Sequence, residues 1–85
     1  MDTWKIRKPV EMEVGGHWEF DHYEQVGPVL HSESAVLDYA LAVIAIPDMW
    51  DMEVWHYFGE VDAYGIQDFE HQDLEGWLAE RRIEQ

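Results

Sequence analysis

The sequence predicts an α+β fold, a small antiparallel sheet with two helices in the approximate order ββαβ(β)α, forming a single domain over residues 1–85. Three observations predict it. Two stretches of period-two alternation flank Gly15-Gly16; an apolar run at helical spacing follows Ser32 and Ser34; an aromatic run from Met52 to Phe58 precedes a second helix-spaced segment after Asp73. A domain of this length buries roughly 60–65% of the surface its unfolded chain exposes. Five Trp, four Tyr and three Phe therefore weigh heavily in its core.

Within residues 3–14, Trp4, Ile6, Val10, Met12 and Val14 share one parity, and Lys5, Arg7, Glu11 and Glu13 the other. Pro9 lies on the polar parity, as expected of an edge strand or a break between two strands. Over residues 18–24, Trp18, Phe20 and His22 alternate with Glu19, Asp21 and Tyr23. A two-residue loop would pair Val14 with His17 and Met12 with Glu19, mixing the faces. A three-residue loop, Gly15 to His17, pairs Val14 with Trp18 and Met12 with Phe20, and the apolar pattern selects it. Glu13 then faces Glu19 and Glu11 faces Asp21. Like charges directly opposite are destabilising, where favourable pairs contribute roughly 0.2–1 kcal/mol. Lysine at Glu13 and Asp21 is thus expected to leave the hairpin's stability equal or raise it, and the native carboxylates read as a surface kept for a partner.

Ser32 or Ser34 caps a helix running to about Ile46, with Glu33 suited to its positive end and Pro47 helping to end it. Val36, Ala40, Val43 and Leu37, Leu41, Ile44 lie on adjacent stripes, broken only by Asp38 and Tyr39. A helix apolar nearly all round is buried, so a second helix or a second subunit must cover what one small sheet cannot. Homodimerisation through residues 33–46 is the expectation. Met52 to Phe58 reads as a strand apolar on both faces and stopped by Gly59; Trp50, Trp55 and Tyr57 are assigned to the core. Glu60 to Tyr64 reads as a short returning strand. Asp73 caps a final helix with Leu74, Trp77, Leu78 and Arg81 at helical spacing, and Arg81-Arg82 suit its negative end.

Charge narrows the function. Nineteen acids face five bases, a net charge of −14. The bases sit at the ends, as Lys5, Arg7, Lys8, Arg81 and Arg82. Residues 9–80 carry no Lys or Arg and all the acids except Asp2 and Glu84. A single-sign surface repels itself and destabilises the compact state. Either a saline host or a partner maintains it. Direct binding to DNA or RNA is not expected, since phosphate would be repelled.

Catalytic and metal-binding classes find little support. There is no Cys, hence no thiolate site or disulfide. The only serines read as helix caps, and no Gly-rich phosphate loop or nucleophile elbow occurs. His17, Glu19 and Asp21 fall on one side of an extended strand at roughly 7 Å intervals, too splayed to converge on one ion. No catalytic residue, metal or cofactor is assigned. The longest apolar stretch, Ala35 to Ile46, is interrupted by Asp38 and too short to span a membrane. Met1-Asp2-Thr3-Trp4-Lys5 lacks the basic-then-apolar order of a signal peptide, so a cytoplasmic location is expected.

In size, charge and aromatic content the whole chain resembles small phage-encoded inhibitors of bacterial defence, including acidic anti-CRISPR proteins and DNA mimics aimed at restriction or repair enzymes. Those groups share no motif, so no functional residue is carried over from them. The resemblance implies a stoichiometric, non-catalytic inhibitor in a bacterial cytoplasm. Its partner would be a basic nucleic-acid-handling protein or complex, a CRISPR effector among the candidates. Same-face carboxylates repeating at roughly 7 Å are comparable with phosphates that rise about 3.4 Å each and wind around the duplex. The partner-binding candidates are Glu11, Glu13, Glu19, Asp21, Asp48, Asp51, Glu53, Glu60, Asp62, Asp68 and Glu70. The alternative is an acidic dimeric interaction module, such as an antitoxin or an assembly adaptor.

Overall fold

Gly15 (φ 59°) and Gly16 (φ 87°) both take the left-handed conformation that a two-residue type I′ turn requires. They join β1 (Thr3–Val14) to β2 (His17–Leu30), with Val14 opposite His17. The computed structural model describes residues 2–43 and 51–83, with side chains through Arg81. In it the three-residue loop is overturned. The tip pairs Glu13 with Trp18, Met12 with Glu19 and Glu11 with Phe20. No glutamate faces a carboxylate across these pairs, so lysine at Glu13 and Asp21 loses its stabilising rationale. From Val10, opposite His22, inward to Ile6, opposite Val26, the ladder runs at the offset that a three-residue loop would have given. A one-residue bulge at Asp21 reconciles the two segments. Near the core, burial selects register. At the tip both faces are exposed, and the backbone preference of Gly-Gly decides.

β2 runs further than its alternation suggests. Gly27 and Pro28 do not end it; they lie in a second irregularity, between the Ile6–Val26 and Trp4–Leu30 pairs. Gly27 has φ +75°, and a Cβ there would overlap the phenol of Tyr39. Glycine at this point lets the following helix approach the sheet.

That helix is α1 (Glu33–Val43). Ser32 is its cap: the Ser32 hydroxyl accepts from the Ala35 N–H at 3.1 Å, and its carbonyl from the Val36 N–H at 3.1 Å. The expected extension to Ile46, and Pro47, Asp48 and Trp50, lie outside the described residues. β3 (Glu53–Phe58) pairs antiparallel with β1, from Thr3–Tyr57 to Arg7–Glu53. Pro9 lies beyond the last of these pairs, where one side of β1 is open, which is why the ladder tolerates it. The returning strand is not Glu60 to Tyr64. It is β4 (Asp68–Asp73), which pairs with all of β3 at the sheet edge. Glu60 and Val61 are irregular, and residues 62–66 form a turn organised by Asp62, whose Oδ1 accepts from the N–H groups of Tyr64 and Ile66 at 2.8 and 2.9 Å. Chain direction then reverses at Asp73, whose Oδ2 accepts from the Gly76 N–H at 3.1 Å and caps α2 (Leu74–Ile83).

The sheet order is β2-β1-β3-β4, and both helices cover one face. Ile6, Met52, Val54, Leu74 and Val36 are fully buried there, joined by Trp4, Leu30, Ala40, Val43, Trp77 and Leu78. α2 thus supplies cover for α1 within one chain. Burial reaches Val36, Ala40 and Val43 only, while Leu37 is half-buried and Leu41 is 42% exposed; α1 is one-sided, not buried all round. Arg81 closes the end of this layer, its guanidinium 3.8 Å from the Trp77 ring centre and 2.9 Å from Glu33 Oε1. No helix among the described residues is long and apolar enough to cross a membrane.

Candidate interaction surfaces

Beyond the Arg7–Glu53 pair, β1 and β2 continue without β3 as a two-stranded arm. The seven residues from Lys8 to Val14 extend it by roughly 24 Å. The radius of gyration is 14.5 Å, above the roughly 12 Å expected of a compact chain of this length. Every residue from Glu11 to His22 is exposed. Strand pairing places Glu11, Glu13, Trp18 and Phe20 on one side of the arm, and Met12, Val14, His17 and Glu19 on the other. Glu11, Glu13, Glu19 and Asp21 therefore do not form the single acidic face expected; they wrap the arm, with Asp21 on the bulge. Trp18 is 67% exposed and Phe20 56%, on an element with no core of its own to stabilise.

Three arm residues around the bulge are electrostatically linked. His22 Nδ1 lies 2.6 Å from Asp21 Oδ2, and its Nε2 3.5 Å from Glu24 Oε1. The hydrogen bond to Asp21 is the main reason its pKa is raised above 6.5, against a smaller opposing effect of desolvation and with help from Glu24. A raised histidine pKa means that the folded arm favours the protonated ring. Its contribution to stability is fully present below 6.5 and disappears as pH rises through the raised value. The His22→Gln variant is therefore expected to lose more stability relative to the parent at pH 6 than at pH 8, in paired urea unfolding curves. An equal difference at both pH values contradicts the coupling.

The other candidate surface is the sheet face the helices leave open. Trp55 and Tyr57, assigned to the core from sequence, lie half-buried on this open side. Alternation places them there: Val54 points to the helices, so its neighbours cannot. The rings form a connected row. Phe20 contacts Tyr23 (centroids 4.9 Å apart), Tyr23 contacts Trp55 (5.4 Å), and Trp55 stacks with Phe69 (5.1 Å) and His71 (4.7 Å). Tyr57 joins through Phe69 at 5.6 Å. Glu53 sits among them. It accepts from the Tyr23 hydroxyl and the Trp55 indole N–H, each at 3.1 Å, and lies 3.1 Å from His71 Nδ1. Burial, followed by the bond to Glu53, raises the Tyr23 pKa above 10. Arg7 lies over Trp55 and Lys5 over Tyr57, each 5.1 Å from the ring centre, and Arg7 Nη2 donates to the Tyr57 hydroxyl at 3.0 Å.

The remaining expected site residues are scattered. Asp51 is exposed in the turn before β3, and Glu60 is exposed after it. Asp62 is engaged in its own loop. Asp68 and Glu70 lie exposed on edge strand β4, with Glu70 Oε1 3.4 Å from His56 Nδ1. Asp48 lies outside the described residues. A cleft of about 210 Å³ beside α2 is lined by His56, Glu70, Trp77, Arg81 and Glu33, where the acids and bases pair with one another. Among the described residues no group of three or more His, Asp or Glu side chains is placed to hold a metal ion. No family model, no curated protein and no solved structure matches the chain.

Proposed function

We propose that the protein is an acidic, non-catalytic inhibitor that occupies a basic nucleic-acid-binding surface of a bacterial protein or complex, acting in the cytoplasm. The observation that carries this reading is the arm. It projects from the core, is exposed from Glu11 to His22, and carries Glu11, Glu13, Glu19 and Asp21 with no Lys or Arg. A negative ribbon two strands wide fits a groove shaped for a polyanion. Its carboxylates accelerate encounter with a basic surface, and Trp18 and Phe20 supply apolar contact area that charge alone does not. Wrapping the charge around the arm suits a groove, which presents bases from both walls, better than a flat surface.

An acidic dimeric module such as an antitoxin remains the competing reading. Its main support is the exposed apolar Leu41 on α1. Affinity capture from a bacterial lysate at low salt, eluted by raising salt, separates the two. A nucleic-acid-handling complex is expected in the eluate, with the free protein monomeric by light scattering. A small basic toxin bound to a dimer of the protein overturns the inhibitor reading.

A further inference from the structure

The open face of the sheet has no role in folding that requires so many rings. Buried side chains of the opposite face already supply the core, and aromatic rings on a water-facing sheet leave apolar area unspent. A patch of this kind marks a binding surface. What it binds is constrained by three observations. First, the rings surround a fixed carboxylate, Glu53, held by Tyr23 and Trp55. Second, Glu11 and Glu13 extend the same side of the sheet onto the arm. Third, this face already takes cations on its rings: Arg7 over Trp55 and Lys5 over Tyr57. Ring faces attract cations, and a planar guanidinium also stacks on them where an ammonium does not.

We propose that the open sheet face is an arginine-reading site. Guanidinium groups of a basic protein segment stack on the rings of Phe20, Tyr23, Phe69 and His71 that Lys5 and Arg7 leave uncovered, with Glu53, Glu11 and Glu13 supplying the counter-charge. This deepens the reading of a basic partner and rests on it: the arm attracts positive charge of any kind, while the face selects arginine over lysine. Single-stranded nucleic acid also stacks on aromatic rows, but such sites combine the rings with a positively charged groove that tracks the backbone. Here the net charge is −14, and the two bases on the face are already placed over rings.

The test uses two synthetic peptides of equal length and charge, one arginine-rich and one lysine-rich, titrated into the full chain at low salt. The arginine peptide is expected to bind about three- to tenfold more tightly. The double variant Phe20→Ala, Phe69→Ala should bring the two peptides to near parity. Both side chains are about half exposed, and a circular dichroism melt verifies that the variant folds; if it does not, each single variant is titrated. Glu19→Lys, on the other side of the arm, should weaken both peptides alike and leave the arginine preference intact. Equal binding of the two peptides by the parent overturns the arginine-reading site while leaving the basic partner standing. Binding of neither peptide overturns both. Binding of single-stranded DNA that Phe69→Ala abolishes, or a stable dimer that buries the rings, assigns the face to another occupant and overturns the proposal.

Discussion

Replacing Gly27 by alanine is expected to lower stability by about 2–5 kcal/mol, because two penalties coincide at one atom. At φ +75° a Cβ strains the backbone by roughly 1–2 kcal/mol. The same Cβ would overlap the Tyr39 phenol, and overpacking of this kind costs typically about 1–3 kcal/mol. The total stability of an 85-residue domain is about 4–13 kcal/mol, so the loss is a large fraction of it. The consequence is specific to topology. Tyr39 projects from α1 onto the irregular part of β2, so the contact sets how closely α1 lies on the sheet. Urea unfolding of Gly27→Ala, Tyr39→Ala and the double variant resolves the two penalties. The double variant should be less destabilised than the two single effects added, because removing the phenol removes the clash and leaves only the backbone strain. Strict additivity, or a Gly27→Ala loss under about 0.5 kcal/mol, contradicts the close approach of helix and strand.

Charge reversal on the arm should have the opposite signature, a large effect on binding with little on folding. Glu13 faces Trp18 and Glu19 faces Met12 across the ladder, so lysine at either position meets no opposing cross-strand charge. Glu19 gives up one exposed contact, 2.8 Å to His17 Nε2, and exposed pairs of this kind contribute at most about 1 kcal/mol. Stability should therefore stay within about 0.5 kcal/mol of the parent, as is usual for surface substitutions. Affinity for the basic partner should fall by about ten- to a hundredfold, mostly through a slower association rate. The ionic-strength dependence should flatten in parallel, since two of the carboxylates that produce it are reversed. Paired measurements of melting temperature and association rate at two salt concentrations check this. An unchanged association rate removes the arm from the interface and leaves the acids of the sheet edge, Asp68 and Glu70, as the next candidates.

These outcomes bear on what the sequence could and could not convey. Elements set by local chemistry were legible: a serine cap at Ser32 or Ser34, the Asp73 cap, a hairpin bend at Gly15-Gly16 and the alternation of β1 each have a short-range cause. In the inner hairpin, Ile6 lies opposite Val26, and burial of that face fixes the register there. The tip register was not legible, because apolar pattern selects register only where one face is buried. Met12, Val14, Trp18 and Phe20 are all exposed, so burial exerts no pull and the turn prevails. β4 escaped because Asp-Phe-Glu-His-Gln-Asp has none of the apolar alternation of a core strand. It is an edge strand whose helix-side positions, Asp68, Glu70 and Gln72, are polar, and its ladder with β3 gives it its place.

The aromatic face was misassigned for a related reason. Large rings default to the interior, and Trp55 and Tyr57 were placed there. One signal could have located them. With two helices able to cover only one side of the sheet, the parity of Val54 and the parity of Trp55 and Tyr57 cannot both be core. The second parity is also that of the neighbouring Glu53 and, across the ladder, of Lys5 and Arg7. The acidic residues were legible by count but not by placement. Of the candidates, Asp62 and Glu53 are held in hydrogen-bond networks of the fold, while the arm carboxylates are presented outward.

The measurement that tests the central claim most directly is a competition. The complex captured through the immobilised protein at low salt is challenged with duplex DNA and, separately, with an equal charge concentration of a simple anionic polymer. Occupation of a nucleic-acid-binding surface predicts that DNA releases the partner, that the polymer does so less effectively, and that Glu13→Lys with Glu19→Lys captures little to begin with. A partner retained in full under excess DNA, and captured equally by the arm variant, would contradict the account.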